Sequence, residues 1–184
     1  MDFVRAKSIY QDSLNYFKES IQLGESLNLQ AVGMAPNRVI AIPNYCENKK
    51  DFYNICKVVF ARFNVKYYAT FAEGWTAELE AGQKLTQKVS ELPDRVECLF
   101  TTLVSRENIL AESYKIIRLD DDVKLEFLYS EKNLSGKISG DLLTLLPSRD
   151  LVLSTQQKNK IDEYLSTLGF DFEQVKEATP NYYH

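Results

Sequence analysis

The chain has 184 residues, of which 45% are hydrophobic and 26% charged, and its net charge is −4. A chain of this length and composition can bury a substantial core as one domain, which excludes wholesale disorder. The acidic balance gives no electrostatic case for nucleic-acid binding. We therefore predict a single domain over residues 1–184 that ends in a mobile tail from about residue 176.

The three cysteines are Cys46, Cys56 and Cys98, and they form no CxxC motif and no Cys/His cluster. An odd count at wide spacing is typical of a reduced cytoplasmic protein rather than a disulfide-stapled secreted one. No apolar run reaches the roughly 18 residues of a membrane span, and no signal-peptide core follows the first residue. The sequence predicts a cytoplasmic protein without membrane contact.

The first third of the chain predicts a helix, a loop, a strand and a second helix. Apolar residues recur at steps of three and four over residues 3–27, which indicates an amphipathic helix. Residues 28–37 contain a glycine and a proline and are predicted as a loop. The apolar run 39–42 is predicted as a buried strand. The second helix is expected from about Lys49, with Asn48 as its N-cap.

From residue 65 the hydrophobic period changes from 3.6 to 2. Strands are predicted over residues 65–75, 95–106, 109–119 and 123–129. The last three are joined by very short connections, which make neighbouring strands antiparallel because a parallel crossover needs a dozen residues or more. Residues 142–146 are predicted as a short edge strand or a helical turn. A last helix is predicted from residue 154 or 155 to residue 168, ended by Gly169.

These elements predict an α+β fold. We expect a mainly antiparallel sheet of five or six strands, centred on a meander over residues 65–129. Three helices are expected on one face of this sheet, because their apolar stripes need a common apolar surface.

Several classes of catalytic site lack their residues. The single histidine is the terminal His184, so His-dependent triads and HExxH zinc sites are excluded. No GxGxxG or GxxxxGK[ST] motif occurs, which argues against dinucleotide and P-loop chemistry. We predict no cofactor, no catalytic residue and no metal site.

A short acidic segment offers one alternative. Asp122 and Lys124 match the D-x-K half of a nuclease-type metal site, and Asp94 could supply the second carboxylate for Mg²⁺. An Asp triplet between two strands is also what a tight turn favours, because Asp accepts left-handed backbone angles. The turn is the favoured interpretation, and a Mg²⁺-dependent nuclease is the alternative.

The most individual feature of the chain is Glu73-Gly74-Trp75, which contains its only tryptophan. In the functional interpretation, Trp75 is a binding-site aromatic at the edge of the sheet with Glu73 beside it. In the structural one, it is a core side chain that covers the open end of the sheet. We favour burial, because a large aromatic usually contributes by burial.

Charged residues at the start of the next predicted strand extend this candidate site. Arg95 and Glu97 share a strand face at i, i+2, and either could pair with Arg118 or Glu112 on the neighbouring strand. If the protein has a site, we expect it near residues 73–75 and 95–97. The candidate binding residues are Glu73, Trp75, Arg95, Glu97 and Arg118.

The order of these strands resembles a group of uncharacterised small proteins of bacteria and their phages. The shared features are an E-x-W strand end at residues 73–75, a P-D-R-x-E strand start at 93–97 and an aromatic-x-I-x-R return strand at 114–118. The resemblance covers about residues 65–120 and implies no activity. It supports treating the meander as one unit and favours a phage or mobile-element origin, so an accessory protein of that kind is one expectation.

Three functions are compatible with these observations. The first is a non-enzymatic protein that binds another protein, or itself, through the open sheet face or an edge strand. The second is the Mg²⁺-dependent nuclease that uses Asp94, Asp122 and Lys124. The third is a structural subunit of a homo-oligomer. We expect the first.

Overall fold

The structure is a computed structural model that describes residues 1–44, 46–77, 87–120, 122–132 and 145–177. The helices are α1 (Phe3–Gln22), α2 (Lys49–Phe63) and α3 (Thr155–Thr167). The strands are β1 (Gln30–Ala35), β2 (Arg38–Ile42), β3 (Tyr67–Thr76), β4 (Val96–Val104), β5 (Ile109–Arg118), β6 (Val123–Lys132) and β7 (Val175–Glu177). No helix in these ranges combines the length and the apolar content needed to cross a bilayer. The cytoplasmic location stays a prediction.

The strands form one sheet in the order β6-β5-β4-β3-β1-β2-β7, and every neighbouring pair is antiparallel. β3 to β6 are consecutive neighbours, so the predicted meander is confirmed. The α+β class with three helices and an antiparallel sheet is also confirmed.

The prediction of a loop over residues 28–37 is wrong, because β1 lies within it. Gly33 does not break the strand: it pairs with Ile40 on β2 and with Tyr68 on β3. A Cβ atom at residue 33 would lie 2.8 Å from Cε1 of Phe60 on α2. The glycine therefore marks a close approach of helix to sheet, which sequence alone cannot distinguish from a turn.

The C-terminal prediction is also corrected. β7 lies where the mobile tail was expected to begin, and Val175 pairs with Ile40 on β2. With β1 and β7, the sheet formed by the described residues has seven strands rather than five or six. The remainder of the tail, from residue 178, lies outside the described residues, as does most of the segment predicted over residues 142–146.

The helices pack on both faces of the sheet, so the expectation of a single helical face is wrong. The α1 face buries alternate strand residues that include Phe71 and Leu99, whereas the α2/α3 face buries Tyr68 and Val104. Because successive strand residues point to opposite faces, large apolar residues at both parities require cover on both sides.

The helix termini follow their sequence signals. Asn48 caps α2, and its Oδ1 accepts a hydrogen bond from Asp51 N at 2.9 Å. Gly169 has φ 75° after α3, and Phe170 N donates back to Leu165 O at 3.0 Å. Both the N-cap and the glycine stop are confirmed.

Candidate functional site

The five candidate residues lie together at one end of the sheet. The end of β3, the start of β4 and the end of β5 meet there because these strands are antiparallel neighbours. On the α1 face, the inward-facing residues of these strands are mainly apolar, and at this end they are followed by mainly charged residues. We call this group the sheet-end cluster; its members are Glu73, Trp75, Arg95, Glu97 and Arg118.

Arg118 joins three strands at the centre of the sheet-end cluster. Its Nε lies 3.0 Å from Oε2 of Glu97 on β4, and its Nη2 lies 3.0 Å from Oε1 of the same carboxylate. The same Nη2 is 3.2 Å from Oε2 of Glu73 on β3. Of the two partners left open by the sequence, Glu97 therefore takes Arg118.

Glu73 fixes the chain that follows α1. Its Oε1 accepts a hydrogen bond from Leu27 N at 2.7 Å, and its backbone N–H donates to Leu27 O at 3.2 Å. A carboxylate that accepts a backbone N–H makes a charge-assisted hydrogen bond. Glu73 is thereby a positioning residue that ties the end of β3 to the segment between α1 and β1.

Trp75 is 41% exposed, so the expectation that it is buried is wrong. It pairs directly with Glu97 across β3 and β4, and Gly74 stays in regular register with Cys98 instead of forming a bulge. Trp75 lies beyond the part of the sheet face that α1 buries, at the outer end of the strand. One side of its ring is therefore available to solvent.

Arg95 lies against the Trp75 ring, with its guanidinium carbon 4.9 Å from the ring centroid. Its Nη1 donates to Leu92 O at 3.1 Å, which fixes the guanidinium beside the indole. Cation–π pairs of this kind contribute about 0.5–1 kcal/mol at exposed sites. Arg95 thus takes neither of the two predicted partners on the next strand.

The sheet-end cluster offers recognition rather than proton transfer. The hydrogen bond to Glu97 raises the pKa of Arg118, and burial opposes this shift. The carboxylates of Glu73 and Glu97 are both engaged with Arg118. What faces solvent is an indole ring and a guanidinium, the two groups that most often anchor protein interfaces.

Glu112 belongs to a different polar network, which lies beneath α1. Its Oε2 accepts hydrogen bonds from the hydroxyls of Tyr10 at 2.8 Å and Tyr114 at 2.9 Å. The Tyr10 hydroxyl also lies 2.6 Å from Thr101 Oγ1, and Lys18 Nζ lies 3.6 Å from the centroid of the Tyr114 ring. Burial raises the pKa of Tyr10. This network holds α1 on the sheet.

The residues of the alternative nuclease site are exposed and lie on or beside two strands that are not neighbours. Lys124 Nζ lies 3.7 Å from Asp122 Oδ2, and both side chains are more than half exposed. Asp94 lies near the start of β4, two strand spacings or about 10 Å from β6. The described part of the chain contains no group of three or more acidic, histidine or cysteine side chains able to hold a metal ion.

Sequence reasoning missed the contact between Leu27 and Glu73 and the contact between Trp75 and Arg95. The first joins residues 46 positions apart, and a sequence pattern does not predict that a backbone N–H group will be the partner of a side chain. Arg95 was assigned to a strand face, whereas it precedes the first residue of β4 and turns back toward β3.

Comparison of the chain with protein-family models, with curated proteins and with solved structures found no significant match to any of them.

Proposed function

We propose that this chain is a non-enzymatic binding protein that contacts another protein through the sheet-end cluster. The observation that carries the proposal is the exposed Trp75 ring with the Arg95 guanidinium 4.9 Å from its centroid. Tryptophan and arginine are the residues most enriched among interface hot spots, where a few side chains supply most of the binding energy.

The surroundings of Trp75 support this proposal. The hydrogen bonds of Glu73, Glu97 and Arg118 fix the end of β3, which carries the ring, and the adjacent ends of β4 and β5. A rigid aromatic anchor loses little conformational entropy on binding, so more of its contact energy appears as affinity. A partner that fits would offer an apolar side chain to the ring and a carboxylate to Arg95.

The test uses partner capture from cells that express the chain naturally, with three variants as bait. Trp75→Ala and Arg95→Ala remove the two anchors, and Tyr164→Ala removes a somewhat more exposed aromatic side chain from α3. A protein counts as the partner only if the first two variants lose it and the third retains it. Titration of that purified protein should then show at least a tenfold loss of affinity, or about 1.4 kcal/mol, for each cluster variant.

Arg95→Ala is the cleaner of the two variants. Arg95 is exposed and makes no ion pair with a described side chain, so its removal should lower the free energy of unfolding by no more than about 1 kcal/mol, the contribution of its contact with the Trp75 ring. Equal capture and equal affinity for all three variants would contradict the proposal.

A second candidate function is self-association through β6. This strand is the outermost at its end of the described sheet, and it exposes Phe127, Leu128 and Tyr129 side by side. An unpaired edge strand with apolar side chains is a template for pairing with another strand. Of all described strands, β6 therefore offers the best surface for a homo-oligomer.

The charges of β6 are complementary to a second copy. The register shift opposite residues 113 and 114 places Lys124 and Glu131 on the same sheet face. A two-fold axis between Phe127 and Leu128 would set Lys124 of one copy opposite Glu131 of the other, twice. Opposite charges in directly facing positions favour such a pair by roughly 0.2–1 kcal/mol each.

Charge reversal tests this second function. If β6 forms the interface, Lys124→Glu should weaken a dimer seen by light scattering or sedimentation, and the double variant Lys124→Glu with Glu131→Lys should restore it. A monomer at every concentration would contradict this second function. A dimer whose stability is the same in both variants and in the unchanged chain would also contradict it.

The relation to phage proteins stays a prediction, because no comparison bears on it. Genomic neighbourhood tests it: genes of phage structure, packaging or defence beside this gene are expected, and a consistent set of metabolic neighbours would contradict it.

A further inference from the structure

A concave site lies on the opposite side of the sheet from the Trp75 ring. It is a cleft of about 450 Å³ between the turn joining β1 to β2, the last turn of α2, residues 151–153 and the first turns of α3. This volume is within the range of small-molecule sites. Because its charged lining residues are all basic, we call it the basic cleft.

Three cationic side chains line the basic cleft, and none of the described residues that line it is acidic. They are Arg38 from β2, Arg62 from α2 and Lys158 from α3. The chain as a whole carries a net charge of −4, so this group of positive charges is opposite in sign to the net charge of the chain. Asp162 offsets the charge of Arg62, and the carbonyl end of α2 contributes about half a negative charge, so the charges of Arg38 and Lys158 leave the balance positive.

The three cations are not equally available to a ligand. Arg62 donates through Nε at 2.6 Å and Nη2 at 2.7 Å to the two oxygens of Asp162, which joins α2 to α3. Among described side chains, neither Arg38 nor Lys158 takes part in an ion pair. Arg38 and Lys158 are therefore the groups that can bind a ligand, while Arg62 contributes only to the electrostatic potential of the cleft.

The position of Arg38 is set by an aromatic ring. Its guanidinium carbon lies 5.8 Å from the centroid of Phe63, and that of Arg62 lies 5.1 Å from the same centroid. Both guanidinium groups therefore lie beside one phenyl ring, where Arg62 is paired with Asp162 and Arg38 has no ion pair with a described side chain.

We propose that the basic cleft binds a small organic phosphate, with the phosphate on Arg38 and Lys158 and the organic portion against Leu151 and Leu153. Arginine matches phosphate oxygens with a planar fork of donors, and lysine adds a compact charge. A phosphate dianion neutralises two positive charges, whereas a carboxylate neutralises one. The apolar walls supply a surface for an organic group.

A polymeric phosphate does not fit this cleft as well. Nucleic acid approaches along many phosphates and is repelled by the negative charge of the rest of the chain. A concave site with two available cations suits one phosphate group.

The test is an NMR titration of the full chain with phenyl phosphate, inorganic phosphate, acetate and a short single-stranded oligonucleotide. Phenyl phosphate should bind tightest, and its amide shift changes should be confined to residues 37–38, 62–64 and 151–158. Arg38→Gln and Lys158→Gln should each weaken binding at least about fivefold. Lys160→Gln, an equal charge change at an exposed position of α3, should leave the affinity unchanged.

Glu177 supplies a further check, because the register places it opposite Arg38 on β7. Glu177→Gln removes one negative charge from the residue that pairs with Arg38 in the strand register, so it should bind phenyl phosphate at least as tightly as the unchanged chain. Weaker binding by this variant would overturn the assignment of Arg38.

Several results would overturn the proposal as a whole. They are no shift changes at millimolar phenyl phosphate, shifts elsewhere on the surface, equal affinity for acetate, tighter binding of the oligonucleotide, or an equal loss of affinity in Lys160→Gln. These outcomes are independent of the sheet-end cluster, whose binding function is tested separately.

Discussion

Arg118 on β5 donates hydrogen bonds to both carboxylate oxygens of Glu97 on β4, at 3.0 Å each, and also forms an ion pair with Glu73 on β3. One guanidinium thus bridges three adjacent strands at the end of the sheet where α1 no longer covers it. This bridge fixes the strand ends that present Trp75.

The Arg118–Glu97 pair should show measurable coupling in a double-mutant cycle. Both side chains are partly shielded, and a bidentate pair is the geometry in which a surface ion pair contributes most, so we expect about 1 kcal/mol from urea unfolding of the single and double alanine variants. The Lys124–Asp122 pair is the matched control, since it is longer and more exposed and should give a coupling near zero. Equal coupling in the two cycles would contradict the structural role of Arg118.

Loss of the Tyr10 hydroxyl should destabilise the chain more than loss of the Tyr114 hydroxyl. Tyr10 is almost fully buried and contacts both Thr101 and Glu112, whereas Tyr114 contacts Glu112 alone. We expect Tyr10→Phe to lower the free energy of unfolding by about 1–3 kcal/mol, because it leaves buried polar partners unpaired. Tyr16→Phe, on the exposed side of α1, should have no effect. A larger loss for Tyr114→Phe would contradict the arrangement of this network.

A side chain at residue 33 should disturb the contact between α2 and the sheet. The added Cβ of Gly33→Ala would lie 2.8 Å from the ring of Phe60 in the core, and overpacking of this kind costs about 1–3 kcal/mol. Gly74→Ala is the comparison, because its nearest neighbour is the half-buried Phe100 ring at 3.1 Å, which has room to move. Thermal unfolding of both variants should show the larger decrease at residue 33. Equal decreases would argue against a close approach of α2 to β1.

Much of the fold follows from sequence periodicity. The alternation after residue 65 and the short connections predict the antiparallel order β3 to β6, and Asn48 and Gly169 predict two helix ends. β1 was missed because a glycine that permits close packing looks the same in sequence as one that ends a strand. The two-sided packing was missed because amphipathic stripes reveal that helices need cover but not which sheet face supplies it.

The sequence predicted which residues of the sheet-end cluster lie together, but not how their side chains are oriented. Residues 73–75, 95–97 and 118 can be brought together by strand register alone, and the structure does so. The orientation of each side chain depends on local packing that register does not contain. Trp75 is exposed because the α1 cover ends before it, and Arg95 turns to its ring because Leu92 O holds it there.

Alkaline conditions should destabilise the protein through buried groups that must stay neutral. Burial raises the pKa of Cys56 to about 12, from a usual value near 9.0. The unfolded chain therefore loses this proton first, and the stabilisation present below pH 9 is lost as the pH rises toward 12, with a slope of up to about 1.4 kcal/mol per pH unit. Urea unfolding at several pH values should show a shallower decline for Cys56→Ala. An unchanged slope would contradict the burial of this thiol.

The accessibility of the Trp75 side chain to a quencher, in the free protein and in a complex, decides whether the sheet-end cluster is a binding surface. Trp75 is the only tryptophan, so intrinsic fluorescence reports on this side chain alone. Acrylamide should quench it readily in the free protein, and saturation with the partner selected through the Trp75→Ala and Arg95→Ala variants should reduce that quenching strongly. A tryptophan shielded in the free protein, or equally quenched with and without the partner, would contradict a binding surface at the sheet-end cluster.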